Sequence, residues 1–247
     1  MKTIRDHLSV SQIRKYLNCG MQYYYSYVEG IRSAPTGSMI RGLSVDTAAN
    51  NHFSKKIENN KGIELSDFVE IAVAEHESKQ DETDFSVDAL DKNQSKDRVS
   101  SLAGVYHRSH GEVFVPESVQ IKLETVNVNG EKFLGYADLI TVDGIVVDNK
   151  VRKRHVAPVL SRDIQLVKYA GMSGKRDVGI AIVADVKEPR AYYYQEKITD
   201  KHIDIVDKKI DWVKLGIENG IFLPAPEGSW YCSEKWCSYW NICEFGK

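Results

Sequence analysis

The sequence has no apolar run long enough to cross a bilayer, and its opening residues, MKTIRDHLSVS, lack the apolar core of a secretion signal. It has no surplus of positive charge. The net charge is −2, which argues against non-specific attraction to nucleic acid through bulk charge and leaves any such binding to local patches. It has no internal repeats. Cysteine is scarce, with four in 247 residues and none to spare. These absences read as a cytosolic protein. What is present is globular: 28% charged and 42% hydrophobic residues, in a chain long enough to bury a full core as one large or two small domains.

Residues 135–150, GYADLITVDGIVVDNK, read as two short strands joined by a tight turn. Residues 134–142 are rich in β-branched and apolar side chains, Asp143-Gly144 is a two-residue hairpin signal, and residues 145–151 continue as the second strand. Side chains alternate along a strand, so Asp148 and Lys150 share one face while Val147 and Asn149 share the other. Asp138, near the end of the first strand, comes alongside them across the pair. Two carboxylates and an ammonium then converge, which is costly on a mostly apolar sheet unless the charges pair or hold a cation. Two carboxylates suit Mg²⁺, a hard ion that prefers oxygen ligands. Lys150 can polarise a water or stabilise charge on a phosphoryl oxygen. The same residues also fit a plain salt bridge at a strand end. The basic run VRKRH, 151–155, follows at once and reads as an anion-binding patch or a solvated loop.

Cys19 stands near the start of the chain, and Cys232, Cys237 and Cys243 near its end, spaced C-x4-C-x5-C in WYCSEKWCSYWNIC. In a reducing compartment this pattern suggests metal more than disulfides. Three thiolates within a dozen residues can converge on one centre, with Cys19 as fourth ligand if the chain ends meet. Four thiolates suit a tetrahedral zinc ion or a cubane iron–sulfur cluster, and spacing does not separate the two. Ordinary buried thiols are the plain alternative.

Between these landmarks, Ser9 and Ser11 can cap a helix reaching about Tyr27, with tyrosines that pack inward or stack on bases. Residues 34–38 form a loop and 39–57 a helix carrying Asp46. Ser66 can cap another helix to about Glu77, residues 78–97 read as a loose solvated connection with or without a short helix, and a further helix runs from about Asp97 to His107. Val119, Ile121 and Leu123 alternate with polar residues as in a half-buried strand, and Asn129-Gly130 marks a hairpin turn. Gln165 and Tyr169 lie four apart on one helix face. Residues 177–185 read as a strand buried on both faces, with 190–197 as its partner. Ile203, Val206, Ile210, Val213 and Ile217 mark a long amphipathic helix that Gly220 ends.

Taken together, these residues resemble the RecB-type branch of the PD-(D/E)XK nuclease superfamily, and within it the members that carry an iron–sulfur cluster: CRISPR-adaptation exonucleases, the AddB nuclease domain and phage-encoded relatives. Residues 8–28 look like the family's opening helix. The G-x-x-D of Gly135 and Asp138, followed by Asp148-Asn149-Lys150, looks like the catalytic core. DIQLVKYAG, with Gln165 and Tyr169, matches the Q-x-x-x-Y helix, and the terminal cysteines match the cluster-binding end. Two features depart from the pattern. Asp46 stands where the family usually has a histidine after an R-G pair, and His52 lies about 240° farther round the helix. The first gap between the terminal cysteines is longer than the family's common C-x2-C. On the strand before G-x-x-D, where the family often shows a glutamate, stands Gln120.

The resemblance implies an α/β fold: a restriction-endonuclease-like mixed sheet flanked by helices, with an N-terminal helical part and a C-terminal segment joined by a four-cysteine metal cluster. It divides the chain into a helical region 1–110, a nuclease core 111–220 and a cysteine segment 221–247, integrated as one domain. It implies a Mg²⁺- or Mn²⁺-dependent deoxyribonuclease, an exonuclease of DNA recombination, repair or processing. Asp138, Asp148 and Lys150 are then catalytic, and Asp46, Asp138, Asp148 and Asn149 hold metal. Arg152, Lys153, Gln165 and Tyr169 contact DNA. Cys19, Cys232, Cys237 and Cys243 hold a [4Fe–4S] cluster, with Zn²⁺ the alternative. The expected partners are DNA, single-stranded or end-processed, and a helicase, recombination or CRISPR-adaptation protein, since no P-loop is present to drive unwinding. A catalytically inactive nucleic-acid-binding or scaffold subunit on the same fold is the other reading.

Overall fold

The computed structural model describes residues 7–126 and 132–246; the hairpin turn expected at Asn129-Gly130 lies outside them. The helices are α1 (Val10–Asn18), α2 (Gly20–Tyr23), α3 (Gly37–Asn59), α4 (Leu65–Lys79), α5 (Lys92–Tyr106), α6 (Ile164–Ser173) and α7 (Asp200–Glu218). The strands are β1 (Pro116–Val126), β2 (Lys132–Thr141), β3 (Ile145–Arg152), β4 (Asp177–Ala184) and β5 (Arg190–Lys197). They form one sheet in the order β1-β2-β3-β4-β5. Strands β2 and β3 pair antiparallel, β3 and β4 parallel, and β4 and β5 antiparallel. The parallel step needs a crossover, and α6 supplies it between β3 and β4. This is the expected mixed sheet flanked by helices. No helix among the described residues is long and apolar enough to cross a membrane.

The chain divides into two compact units. One comprises Met1–Ser33, Leu123–Gly135 and Asp200–Lys247; the other comprises Ala34–Lys122 and Tyr136–Thr199. The core of the second is built from α3, α4 and α5 against the central strands. Ala48, Phe53, Phe68, Leu102 and Tyr106 bury themselves with Leu139, Val147, Ala181 and Val183. Strand β4 is buried along nearly its whole length, as its unbroken apolar run requires.

Several boundaries differ from the sequence expectation, each for a local reason. The β2–β3 connection has three residues, Val142, Asp143 and Gly144, rather than two. Gly144 takes the left-handed conformation (φ 77°) and donates its N–H to Thr141 O at 2.8 Å. Helix α4 starts two residues earlier, with Glu64 at its cap rather than Ser66. Helix α5 starts at Lys92, inside the stretch read as loose. Asp91 and Gln94 form a reciprocal capping box there, a signal carried by polar residues and invisible to apolar periodicity.

In the first unit, the single helix expected to run to Tyr27 breaks at Cys19. That residue is extended (φ −161°, ψ 110°), closing α1 and opening α2, and a π-helical turn follows over Tyr24–Val28. Val10 and Ile13 are buried in this unit, as are Val206, Ile210, Val213 and Ile217 of α7. Tyr16 packs over Gly216, where any Cβ would collide with its hydroxyl, and donates to Ile221 O at 2.5 Å. Tyr23 stacks on Phe222 and Tyr25 on Tyr239. The N-terminal tyrosines therefore pack inward rather than standing as a bare platform.

Candidate active site

The β2–β3 register pairs Leu139 with Val147 and Ile140 with Val146, so one step further sets Asp138 opposite Asp148. Asp148 is buried, at 3% exposure. Its Oδ1 accepts from Lys150 Nζ at 2.7 Å and from Gln165 Nε2 at 2.7 Å. Its Oδ2 is buried with no hydrogen-bond partner. A buried carboxylate oxygen left bare is uncommon and marks a place for a cation or a donor from outside the chain.

Asn149 faces the other way and joins the remaining groups. Its N–H donates to Asp138 Oδ2 at 2.9 Å, and its Nδ2 donates to Asp46 Oδ1 at 3.3 Å. Its Oδ1 accepts from the buried Tyr106 hydroxyl at 2.6 Å. Asp46 is thus part of the cluster. His52 is not: it is buried, its Nε2 lies 3.1 Å from Gly111 O, and its ring packs on Phe53, Phe68 and His107. The six-residue offset along α3 carries it into the core, away from Asp46.

Arg41 sets the pose of α3. Fully buried, it donates to Asp185 at 2.9 Å, Ser95 at 3.0 Å and Asp88 at 3.3 Å. A guanidinium committed to two carboxylates from separate segments fixes the roll of the helix, and Asp46, five residues on, inherits its direction.

Three carboxyls in so small a volume repel one another. Burial, and then the neighbouring Asp148 and Asp46, push the Asp138 carboxyl up to about 8. Burial also raises Asp46 above the ordinary carboxylate range, against hydrogen bonds from Asn149 and Asn50 and the pull of Lys150. Tyr106 is held well above the usual phenol range by burial and then by the same three carboxyls, so it remains a donor to Asn149. The cluster opens to solvent through a cleft of about 550 Å³, lined among others by Asp46, Asp138, Asn149, Lys150 and Lys153.

Two more residues join the group: Gln120, noted in the sequence only for its place on the strand before G-x-x-D, and Asn50, which the sequence did not single out. Gln120 donates to Asp138 Oδ1 at 3.4 Å and to Asn50 Oδ1 at 3.1 Å. It does so from a left-handed backbone (φ 48°) in the middle of β1. Asn50 donates in turn to Asp46 Oδ2 at 3.2 Å. Its signal was its place one helical turn after Asp46; nothing local announced the reversal at Gln120.

The Q-x-x-x-Y helix splits in role. Gln165 reaches Asp148, whereas Tyr169 is buried and its hydroxyl accepts from Tyr136 N at 3.3 Å, two residues before Asp138. The expected DNA contact at Tyr169 does not fit that burial; it braces β2. Lys153 is exposed at the cleft rim with its Nζ 3.9 Å from Asp88, and Arg152 is half-buried at the end of β3. His155 ties the basic loop to β5, stacking on Tyr192 at 3.6 Å between ring centres with its Nε2 2.5 Å from the Tyr194 hydroxyl.

The four cysteines all fall in the first unit and are all free. Tyr231 donates to Asn18 O at 3.2 Å and Tyr25 to Ile242 O at 2.9 Å, drawing the terminal segment onto α1 and the π-turn. Burial and then the nearby Cys19, Cys237 and Cys243 push the Cys232 thiol up. Gln22 Nε2 lies 3.7 Å from Cys237 Sγ. The thiols are thus electrostatic neighbours, yet among the described residues no three or more His, Cys, Asp or Glu side chains stand in a ready metal-binding arrangement.

With this geometry in hand, comparison with known proteins decides the family. A family model described as the PD-(D/E)XK nuclease superfamily matches residues 7–244. The chain belongs to the PD-(D/E)XK nuclease superfamily. The fold agrees with that of a solved structure titled "Putative exonuclease" from Eubacterium rectale, with TM-score 0.59 at 13% identity over 92% of this chain and 86% of that one. A second solved structure, that of SSO0001, is 14% identical over 96% of each chain, with a TM-score of 0.40. No curated protein matches the sequence. The matched residues include the D-x-K of β3.

Proposed function

We propose that the protein is a Mg²⁺- or Mn²⁺-dependent deoxyribonuclease acting at DNA ends, with Asp138, Asp148 and Lys150 as its catalytic residues. The observation that carries the reading is the bare, buried Oδ2 of Asp148, set opposite an Asp138 carboxyl crowded enough to keep its proton to about 8. Oxygen donors in excess and short of positive charge are what a hard divalent ion needs. Asp138, Asp148 and the Asn149 carbonyl would hold the ion, with Asp46 in the place of an imidazole. When bound, the ion supplies charge neutralisation at the phosphate and acidifies a water. Gln165 and Lys150 fix Asp148 from one side, and Asn149 and Gln120 fix Asp138 from the other, so the carboxylates need not reorganise. Lys150 orients the attacking water and stabilises the charge that develops on the phosphoryl oxygen.

The four cysteines, in this reading, hold a [4Fe–4S] cluster or Zn²⁺ with a structural role, pinning α1 and α2 to the terminal segment so that ligand energy becomes folding energy. The closeness of the other three thiols, Cys19, Cys237 and Cys243, to Cys232 supports it. Iron analysis and a visible spectrum of anaerobically purified protein separate the two metals: a brown, iron-containing protein excludes zinc.

The test of the nuclease reading is degradation of end-labelled single- and double-stranded DNA with Mg²⁺ or Mn²⁺, with metal omitted as control. Wild type should degrade DNA only with metal, and Lys150→Ala should lose about 10² or more of the rate. No metal-dependent activity on any of these substrates would favour an inactive DNA-binding subunit.

A further inference from the structure

The cleft has two unlike walls. On one side stand Lys150 and Lys153, which suit a phosphate chain. On the other, α3 presents Met39 and Leu43, one helical turn apart and 63% and 45% exposed. Large apolar side chains left open beside a charged centre are a cost unless something covers them. Between them lies Gly42, in the interior of a long helix, where glycine is disfavoured. Glycine there normally makes room for a neighbouring segment. Here an added Cβ would meet only Val151, at 4.0 Å, an ordinary contact. No protein atom needs the gap, so the bare backbone leaves room for something bound.

We propose that the α3 wall is a base-binding subsite: the nucleobase beside the phosphate held at Lys150 and Lys153 leaves its stack and lies against Met39 and Leu43 over Gly42. The substrate at this point is therefore single-stranded DNA or a frayed end rather than an intact duplex. The two walls match the two halves of a nucleotide, anionic on the lysine side and flat and apolar on the helix side, and a cleft of about 550 Å³ is of ligand size. Apolar side chains set against a base are a known means of drawing it from a duplex, and contact with its face is indifferent to sequence. The subsite thus selects for strandedness and not for base identity. It rests on the nuclease reading and names the substrate class of that site.

The experiment uses the full chain carrying Asp148→Asn to stop cleavage. The probe is a short oligonucleotide with 2-aminopurine near its end, whose fluorescence reports unstacking, presented single-stranded or as a blunt duplex. The single strand should bind about tenfold or more tightly than the duplex, with a fluorescence change. Met39→Ala/Leu43→Ala should weaken single-strand binding about tenfold and remove that change. Gly42→Ala should weaken binding while the melting temperature holds or rises, which separates loss of the gap from loss of fold. Equal binding of single strand and duplex, or single-strand binding untouched by Gly42→Ala and by the double variant, overturns the subsite. In a parallel assay on the unsubstituted protein, metal-dependent cleavage with an indifferent α3 wall leaves the nuclease standing and removes only the subsite. No cleavage at all removes the nuclease reading, and the subsite with it.

Discussion

Replacing Asp138 by asparagine should make the metal-free protein more stable at pH 8. The substitution keeps the shape: an asparagine Oδ1 can still accept the Asn149 N–H, and its amide can face Gln120 once that amide turns over. What it removes is a carboxyl that holds its proton to about 8 instead of releasing it at 3.8. Below about pH 4 that carboxyl is neutral in both folded and unfolded chains and costs nothing. As pH rises toward 8, the unfolded chain ionises freely while the folded one retains its proton, so stability falls throughout the interval and levels off above it. Four pH units at 1.36 kcal/mol each set a ceiling of ~6 kcal/mol. Asp46 and Asp148 share the crowding, so a gain of about 1–3 kcal/mol is expected from removing one member. Urea unfolding of wild type and Asp138→Asn, with chelator, at pH 5 and pH 8 measures it. The gain should be clear at pH 8, smaller at pH 5, and reversed when Mg²⁺ or Mn²⁺ is added, since only the wild type then gains a bound ion. A variant no more stable than wild type at pH 8, or a difference independent of pH, would refute the argument that the carboxyls are crowded.

Arg41→Met should cost about 3–5 kcal/mol in urea unfolding, because it leaves Asp88 and Asp185 buried with a partner removed. Tyr106→Phe leaves Asn149 Oδ1 without its buried donor; a loss of about 1–3 kcal/mol is expected, with a lower cleavage rate at unchanged DNA affinity. Cys243→Ser should lose bound metal and solubility before it specifically loses catalysis, and a soluble, metal-replete variant would contradict the structural role given to the cysteines. Gln165→Leu should slow cleavage by about 10-fold or more, through an Asp148 held only by Lys150.

The elements that residues announce through periodicity were legible in the sequence. The alternation of β2 and β3 put Asp138 beside Asp148, the apolar run of β4 declared a strand covered on both faces, and the spacing of α7 marked its buried stripe. The six-residue spacing of Asp46 and His52 put them on different faces of α3, and the structure has Asp46 hydrogen-bonded to Asn149 and His52 in the core. What stayed hidden depends on partners distant in sequence. Nothing in RGLSVD says that Arg41 will be sealed between Asp88 and Asp185, 47 and 144 residues away. Nothing around Tyr106 says that its hydroxyl will meet Asn149, 43 residues away. For Tyr169 the shared face with Gln165 left two places open, beside the site or in the core, and its burial, with the hydroxyl on the β2 backbone, depends on packing that the spacing does not reveal. The break at Cys19 had only the adjacent Gly20 to announce it.

The left-handed turn of the backbone at Gln120 reverses an ordinary rule of β-structure. In a strand, alanine normally outranks glycine, because glycine has more freedom to lose. At position 120 any Cβ carries a conformational penalty of about 1 kcal/mol or more, which the native side chain offsets by bridging Asn50 and Asp138. Alanine there would retain the penalty and lose the bridge, whereas glycine would lose both. Gln120→Gly should therefore be the more stable of the two truncations.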